Sequence, residues 1–289
     1  MTPRRLLVIH NPVAGRRHRR RYRATIAILR GHGCTVVERD TQGPGDAERF
    51  ARDERDNFDV IVAAGGDGTI NEVANGIAGC GVLLGIIPLG TANVLAAEVG
   101  LPLGAREVAG VLAHSAPRTI YAGLINGRRF LMMAGIGFDA RAVTRVVPAL
   151  KRLLGKGAYA VAALSEWWVN DLPRYRVALD GTTTEVASIV IAKGRSYGGK
   201  FWLAPRADLA APHFEACWLP RASRGALLTV AGSLALRAGL HRNTVCFARA
   251  STVRIAGPVG EPVQADGDIV AHLPVDITIA AEPLQLLVP

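Results

Sequence analysis

Cysteine is scarce and scattered. The four cysteines, Cys34, Cys80, Cys217 and Cys246, form no C-x-x-C pair, which leaves metal-finger and disulfide readings without support and makes buried free thiols the expectation. Long apolar runs are missing too. The opening "MTPRRLLVIHNP" holds an apolar stretch of only Leu6 to Ile9, too short for a secretory signal, and no other segment offers an unbroken membrane-spanning stretch. A cytoplasmic protein is expected. Lysine stands only at Lys151, Lys156, Lys193 and Lys200, so the positive charge is almost all arginine. No internal repeat or low-complexity tract stands out.

What is present begins with an excess of base over acid: 34 Lys and Arg against 24 Asp and Glu give 289 residues a formal charge of +10. That charge suits nucleic acid, an anionic membrane surface or an anionic substrate. Arginine in place of lysine, beside abundant Ala and Gly, is a pattern that often reflects genomic base composition, but such bias does not explain the excess of bases over acids. The densest run is Arg16, Arg17, Arg19, Arg20, Arg21 and Arg23, which reads first as a solvated helix face and second as an anion-steering surface. A hydrophobic content of 49% is ample for one large domain or two ordinary ones.

The chain has two rhythms. From residue 5 to about 118, apolar runs such as "LLVIH", "CTVVE", "DVIVAA" and "VLLGIIP" alternate with helical patterns. Runs apolar at every position suit parallel strands buried on both faces, so this half reads as an α/β, doubly wound, mostly parallel sheet. Beyond it, Asn126-Gly127 and Asp180-Gly181 each sit between strand-like runs and predict hairpins. Residues 139–170 and 225–240 look helical. The expected division is an α/β domain over 1–122, to which a strand at about 282–289 returns, and a β-rich, sandwich-like domain over 123–281.

Three loops, Asn11 to Gly15, Gly65 to Thr69 and Leu89 to Asn93, follow the carboxyl ends of apolar runs. In open α/β sheets ligands sit beyond those ends, so the three are expected to converge. In "GGDGTINEV", Ile70, Val73, Ala74 and Ile77 have helical spacing and place a helix start at Thr69 or Ile70. Thr69 and Glu72 then fit a capping box. Gly65, Gly66 and Gly68, between a buried strand and a helix N-terminus, leave N–H groups free for phosphate. Asp67 would repel a polyphosphate directly; it makes sense there if Mg²⁺ lies between, and otherwise as a turn residue or cap. "VQADGDIVAHL" puts Asp266 and Asp268 two apart, on one face if the segment is extended. Asp-Gly is equally a hairpin dipeptide, and both readings stand on the pattern alone.

"NPVAG", "AAGGDGTINEVANGI" and "LGIIPLGTANVLAAEVGLP", in this order, resemble the diacylglycerol kinase catalytic-domain family of soluble bacterial lipid kinases, related to the sphingosine kinases. The likeness continues through "AGIGFDA", "GGKFWLAPRADL" and "QADGD". It implies an ATP-binding α/β domain, a β-rich lipid-binding domain, and phosphoryl transfer from ATP to a lipid hydroxyl. By the same resemblance Asn11, Gly15 and Arg16 line the nucleotide site, and Gly65, Gly66, Gly68 and Thr69 handle phosphates. Asp67 serves the Mg²⁺, while Thr91 and Asn93 hold the nucleotide. Asp266 is the implied general base with Asp268 in support, and Asp67 competes for the base role. Two departures matter: Ala14 and Arg16 replace the family's usual Ser or Thr and Lys, and Ala211-Pro212 stands where an Asp-Gly that helps build a structural Mg²⁺ site is usual.

The resemblance therefore implies a lipid substrate such as diacylglycerol or a sphingoid lipid and no nucleic-acid partner. An NAD kinase, which shares the GGDGT loop, and a non-catalytic nucleotide- or lipid-sensing module are the alternatives, and a homodimer is entertained. Residues 145–168 mix Arg145, Lys151, Arg152 and Lys156 with apolar residues and end in Trp167-Trp168, which reads equally as a peripheral contact with an anionic membrane or as a helix packed on the β domain.

Overall fold

A computed structural model describes residues 3–14, 18–144, 173–197, 201–221, 223–235 and 244–289. The chain divides into two compact units, Met1–Tyr121 with Ala281–Pro289, and Ala122–Ala280.

The first unit runs β1 (Arg5–His10), α1 (Arg19–Gly31), β2 (Thr35–Asp40), α2 (Asp46–Glu54), β3 (Val60–Gly65), α3 (Asp67–Gly76), β4 (Leu83–Pro88), α4 (Val94–Glu98), α5 (Ala105–His114) and β5 (Pro117–Ile120). The apolar runs are the strands, with Leu6 to Ile9 and Val60 to Ala64 wholly buried, as layers of helix on both faces require. The sheet order is β2-β1-β3-β4, then β20 (Leu284–Leu287) and β5. β1 to β4 and β20 are parallel; β5 is antiparallel to β20. From β1 the chain steps outward to β2 and returns to β3 on the other side of β1. At such a reversal the loops leaving the two central strands part, and a crevice opens beyond their carboxyl ends. Right-handed crossovers put α1 on one face and α2 and α3 on the other; α1 packs with α5, and α2 with α3.

The second unit runs β6 (Gly123–Ile125), β7 (Arg128–Phe130), β8 (Met133–Ile136), α6 (Phe138–Thr144), β9 (Tyr175–Leu179), β10 (Thr182–Val186), β11 (Ser188–Ala192), β12 (Ser196–Tyr197) and β13 (Phe201–Trp202). It continues through β14 (Phe214–Leu219), α7 (Arg224–Ala235), β15 (Cys246–Ala250), β16 (Thr252–Ala256), β17 (Pro262–Ala265), β18 (Asp268–His272) and β19 (Val275–Ile279). Two antiparallel sheets, ordered β10-β9-β16-β19-β6-β7 and β15-β14-β11-β8-β17-β18, share one core. Tyr175, Val177, Ile255 and Ile277 of the first meet Ile136, Ile189, Phe214 and Val263 of the second. This is a sandwich.

Asn126-Gly127 joins β6 to β7 and Asp180-Gly181 joins β9 to β10, with positive φ at all four residues, the type I′ geometry that these dipeptides favour. A third such turn corrects the extended reading of "VQADGD": Asp266 (φ 51°) and Gly267 (φ 94°) link β17 to β18, with Ala265 opposite Asp268. Asp266 and Asp268 therefore do not share a face of one strand. All four cysteines are free, but only Cys34 and Cys217 are buried; Cys80 and Cys246 are half-buried. Residues 145–168, offered for membrane contact, lie outside the described residues.

Candidate active site

The three loops of the first unit are fastened to one another by their own polar groups. Asn11 donates its backbone N–H to the Ala64 carbonyl at 2.9 Å and its side-chain amide to Thr69 Oγ1 at 3.3 Å. Its Oδ1 accepts from the Val13 and Ala14 N–H groups, so one side chain folds the first loop and ties it to the second. One residue earlier, His10 stacks on Tyr22 and pairs with Asp40 at 2.8 Å, which fixes the end of β1. The Gly65 carbonyl accepts from the N–H groups of Leu89 and Gly90, and Arg21 of α1 donates to the Pro88 carbonyl.

The glycines of these loops have different reasons to be glycine. A Cβ on Gly65 would strike Thr69 Oγ1, and one on Gly90 would lie 2.5 Å from Gly66 Cα, so Gly65 is demanded by the turn into α3 and Gly90 by close packing of the second and third loops. Gly68 is exposed, its φ is not in the left-handed region, and a Cβ there would meet nothing within 4 Å. Neither packing nor backbone conformation requires glycine at the second residue of α3.

Asp67 sits at the start of α3, two residues before the helix start read from the spacing. Its Oδ1 accepts from the Val94 N–H at 2.6 Å, so the carboxylate caps α4 and bolts the second loop to the third. Burial pushes its carboxyl above the ordinary value, and the N–H groups of Val94 and Asn93 oppose that shift. The capping box does not form. The Glu72 carboxylate instead accepts from the Ala47 N–H at 3.1 Å in the first turn of α2. Asn93 (φ 49°) donates to the Gly90 carbonyl at 2.8 Å and accepts from its N–H at 2.9 Å. Its side chain is thus a brace inside the third loop. Thr91 is exposed, and Gly15 and Arg16 lie outside the described residues.

Asp266, in the second unit, is half-buried and held by backbone donors. Its Oδ2 accepts from the Leu131 N–H at 2.7 Å, its Oδ1 from those of Met132 at 2.9 Å and Met133 at 3.1 Å, and its own N–H donates to the Met133 carbonyl. Asp268 is exposed at the start of β18. Two further members of this cluster escaped sequence reading. Gln264 accepts from the Gly267 N–H at 3.0 Å and donates to Asp139 Oδ2 at 2.5 Å. Asp139, in "AGIGFDA", is buried with Tyr197 on its other oxygen, and burial pushes its carboxyl up. A Cβ on Gly135 would strike Asp139 Oδ2. That glycine and that acid form one device, which the motif spelled out but local spacing did not explain.

The segment where Ala211-Pro212 replaces the usual Asp-Gly closes on a lysine. Lys193 is wholly buried, and its ammonium donates to the carbonyls of Asp208 at 3.1 Å, Ala211, and His213 at 3.1 Å. Glu215 is taken by Arg206, which donates its N–H at 2.7 Å and its Nε at 3.1 Å. Among the described residues no group of three or more His, Cys, Asp or Glu could hold a metal ion. Burial pushes the Lys193 ammonium down to about 8, against the pull of Asp208. An unfolded lysine keeps its proton to about pH 10.4, so between the two values the folded chain binds fewer protons and gains stability as pH rises. Lys193→Met should cost about 3 kcal/mol by leaving buried carbonyls unpaired. Urea unfolding at pH 7.5 and 9.5 should show this deficit growing with pH; a shrinking deficit would contradict the assignment.

The comparisons with known proteins bear on the family and the fold. The family model described as the diacylglycerol kinase catalytic domain matches residues 5–125. The one described as the YegS C-terminal NAD kinase beta sandwich-like domain matches residues 133–288. A diacylglycerol kinase of Mycobacterium tuberculosis is 33% identical over 91% of this chain and 88% of its own length. A protein of Pseudomonas aeruginosa named "Probable lipid kinase YegS-like" is 32% identical over 96% of this chain and 97% of its own. The crystal structure of a diacylglycerol kinase from Bacillus anthracis superposes with a TM-score of 0.81 at 21% identity, covering 100% of this chain and 98% of that one, which shows the shared fold.

Proposed function

The chain belongs to the diacylglycerol kinase catalytic-domain family of lipid kinases, and on that premise we propose that it transfers the γ-phosphoryl group of ATP, with Mg²⁺, to a hydroxyl of a membrane lipid such as diacylglycerol or a sphingoid lipid. The observation that carries the reading is Gly68. A glycine that the fold does not need, in the first turn of a ten-residue helix at a topological switch point, supports close approach by a ligand. The N-terminal N–H groups of α3 suit that ligand to phosphate.

The residues then divide the work. Gly66, Gly68 and Thr69 bring backbone N–H groups to the phosphates, and Asn11 holds the first loop beside them. Thr91 flanks the nucleotide, and Asn93 shapes the loop that carries it. Mg²⁺, when bound, neutralises charge on the transferring phosphates, and Asp67 is the carboxylate of these loops that would face it. Asp266, held in place by the N–H groups of residues 131–133, is the carboxylate that would take the proton of the attacking lipid hydroxyl. As that proton leaves, the hydroxyl oxygen bonds to the γ-phosphorus and the bond to ADP breaks. Asp268 supplies a supporting charge. The second reading, an NAD kinase, draws on the NAD kinase-like description of the sandwich; its acceptor would be a ribose hydroxyl.

Isothermal titration tests the nucleotide half. ATP should bind with Mg²⁺ and far more weakly without it, and Asp67→Ala should abolish that difference. The same change removes the α4 cap, so it should also cost about 1 kcal/mol of stability. Metal-independent ATP binding by the wild type would overturn the Asp67 role.

A further inference from the structure

Most of the second unit's apolar side chains are inside the sandwich, but a few large ones are not. On the β12–β13 ribbon, Trp202 is 67% and Phe201 40% exposed. The helix α7 packs against β13. Its Leu227 and Val230 turn inward to a small core with Ala204 and Val245, while Leu228 is 57% exposed beside exposed Thr229 and Ala231. Past Arg224 the outward side of the described helix carries no charge.

The sequence around these elements is one-sidedly basic. From Val186 to Ala207, and again from Ala216 to Gly260, there is no Asp or Glu. Arg195 precedes β12, Arg221 precedes α7 and Arg224 opens it, and all are exposed. Exposed apolar residues with a tryptophan and a phenylalanine, rimmed by arginine, have the composition of a bilayer-interface anchor. A second copy of this chain would bring the same arginines together, so charge disfavours self-association through this face. An anionic lipid surface complements it.

We infer that the β12–β13 ribbon and the outward face of α7 dock the second unit on an anionic bilayer, with Trp202, Phe201 and Leu228 entering the interface. The inference rests on the lipid-kinase reading for the surface that such an enzyme must visit, and uses residues distinct from 145–168.

Cosedimentation with vesicles of mixed phosphatidylglycerol and phosphatidylcholine tests it, alongside turnover of a short-chain, water-dispersed diacylglycerol. Trp202→Ser with Leu228→Ser should weaken vesicle binding about tenfold or more, in proportion to the apolar area withdrawn, while turnover of the dispersed lipid stays at the wild-type level. Val259→Ser, which removes a side chain 91% exposed elsewhere in the unit, should leave both unchanged. Wild-type vesicle binding by the double variant, or equal wild-type binding to pure phosphatidylcholine at low salt, would overturn the inference. If the double variant loses vesicle binding while the wild type phosphorylates no lipid, the docking face stands and the lipid-kinase reading falls.

Discussion

Gly68→Ala should fold at least as well as the wild type and bind ATP about tenfold to a hundredfold more weakly, the loss that an overpacking cost of about 1 to 3 kcal/mol produces. The stability half follows from the helix. Gly68 lies in α3 with an ordinary φ and nothing within 4 Å of a new Cβ, and alanine is favoured over glycine in a helix by up to about 1 kcal/mol. The binding half follows from the same empty space, which the methyl would take from the phosphates. Gly90→Ala supplies the contrast, because its Cβ would lie 2.5 Å from Gly66 Cα and force the second and third loops apart. It should lose stability and binding together. Thermal melts and titration calorimetry on both variants decide the matter: unchanged ATP affinity in Gly68→Ala would remove the phosphate role from the glycine loop.

Asp266→Asn should lower kcat by about 10²- to 10⁴-fold, the usual worth of positioned proton removal, and should also melt earlier. The second expectation comes from the structure. An amide can keep its one oxygen on the Met132 and Met133 N–H groups but then turns its NH₂ toward the Leu131 N–H and leaves a donor unpaired, at about 1 to 3 kcal/mol. The chain carries its own control. Asp180 opens the same kind of turn, donates its N–H to the Thr252 carbonyl, and accepts from the N–H groups of Ser251 and Thr252. It is exposed, and burial plays against these N–H bonds, which hold its carboxyl below the ordinary value. Asp180→Asn should lose stability and keep kcat. The two variants compared at a temperature where both are folded separate the roles: equal, near-wild-type turnover in both would make Asp266 a clasp for residues 131–133 and send the search for the base to Asp67.

The parallel strands and the Asn126-Gly127 and Asp180-Gly181 hairpins were legible because each is dictated by neighbours in sequence: apolar runs bury on both faces, and Asn-Gly or Asp-Gly supplies two positive φ values. What escaped was whatever a distant segment decides. Glu72 has the spacing of a capping-box residue, yet it caps α2, whose N-terminus is 25 residues away. Asp67 reads as a ligand or as a cap of its own helix, and its carboxylate reaches α4 instead. Asp266 lies in the Asp-Gly turn that the pattern allowed, but its carboxylate is held by N–H groups of residues 131–133, about 135 positions earlier. Spacing also treats Gly65, Gly68 and Gly90 alike, and only packing separates the glycines the fold needs from the one it does not.

The most direct measurement of the central claim is the fate of the γ-phosphorus. ATP labelled at that position is incubated with the protein, Mg²⁺, and either a panel of membrane lipids, including diacylglycerol and sphingoid lipids, or NAD. The account predicts label in the organic extract, bound to one of the lipids, and none on NAD. Label on NAD with every lipid blank would contradict it.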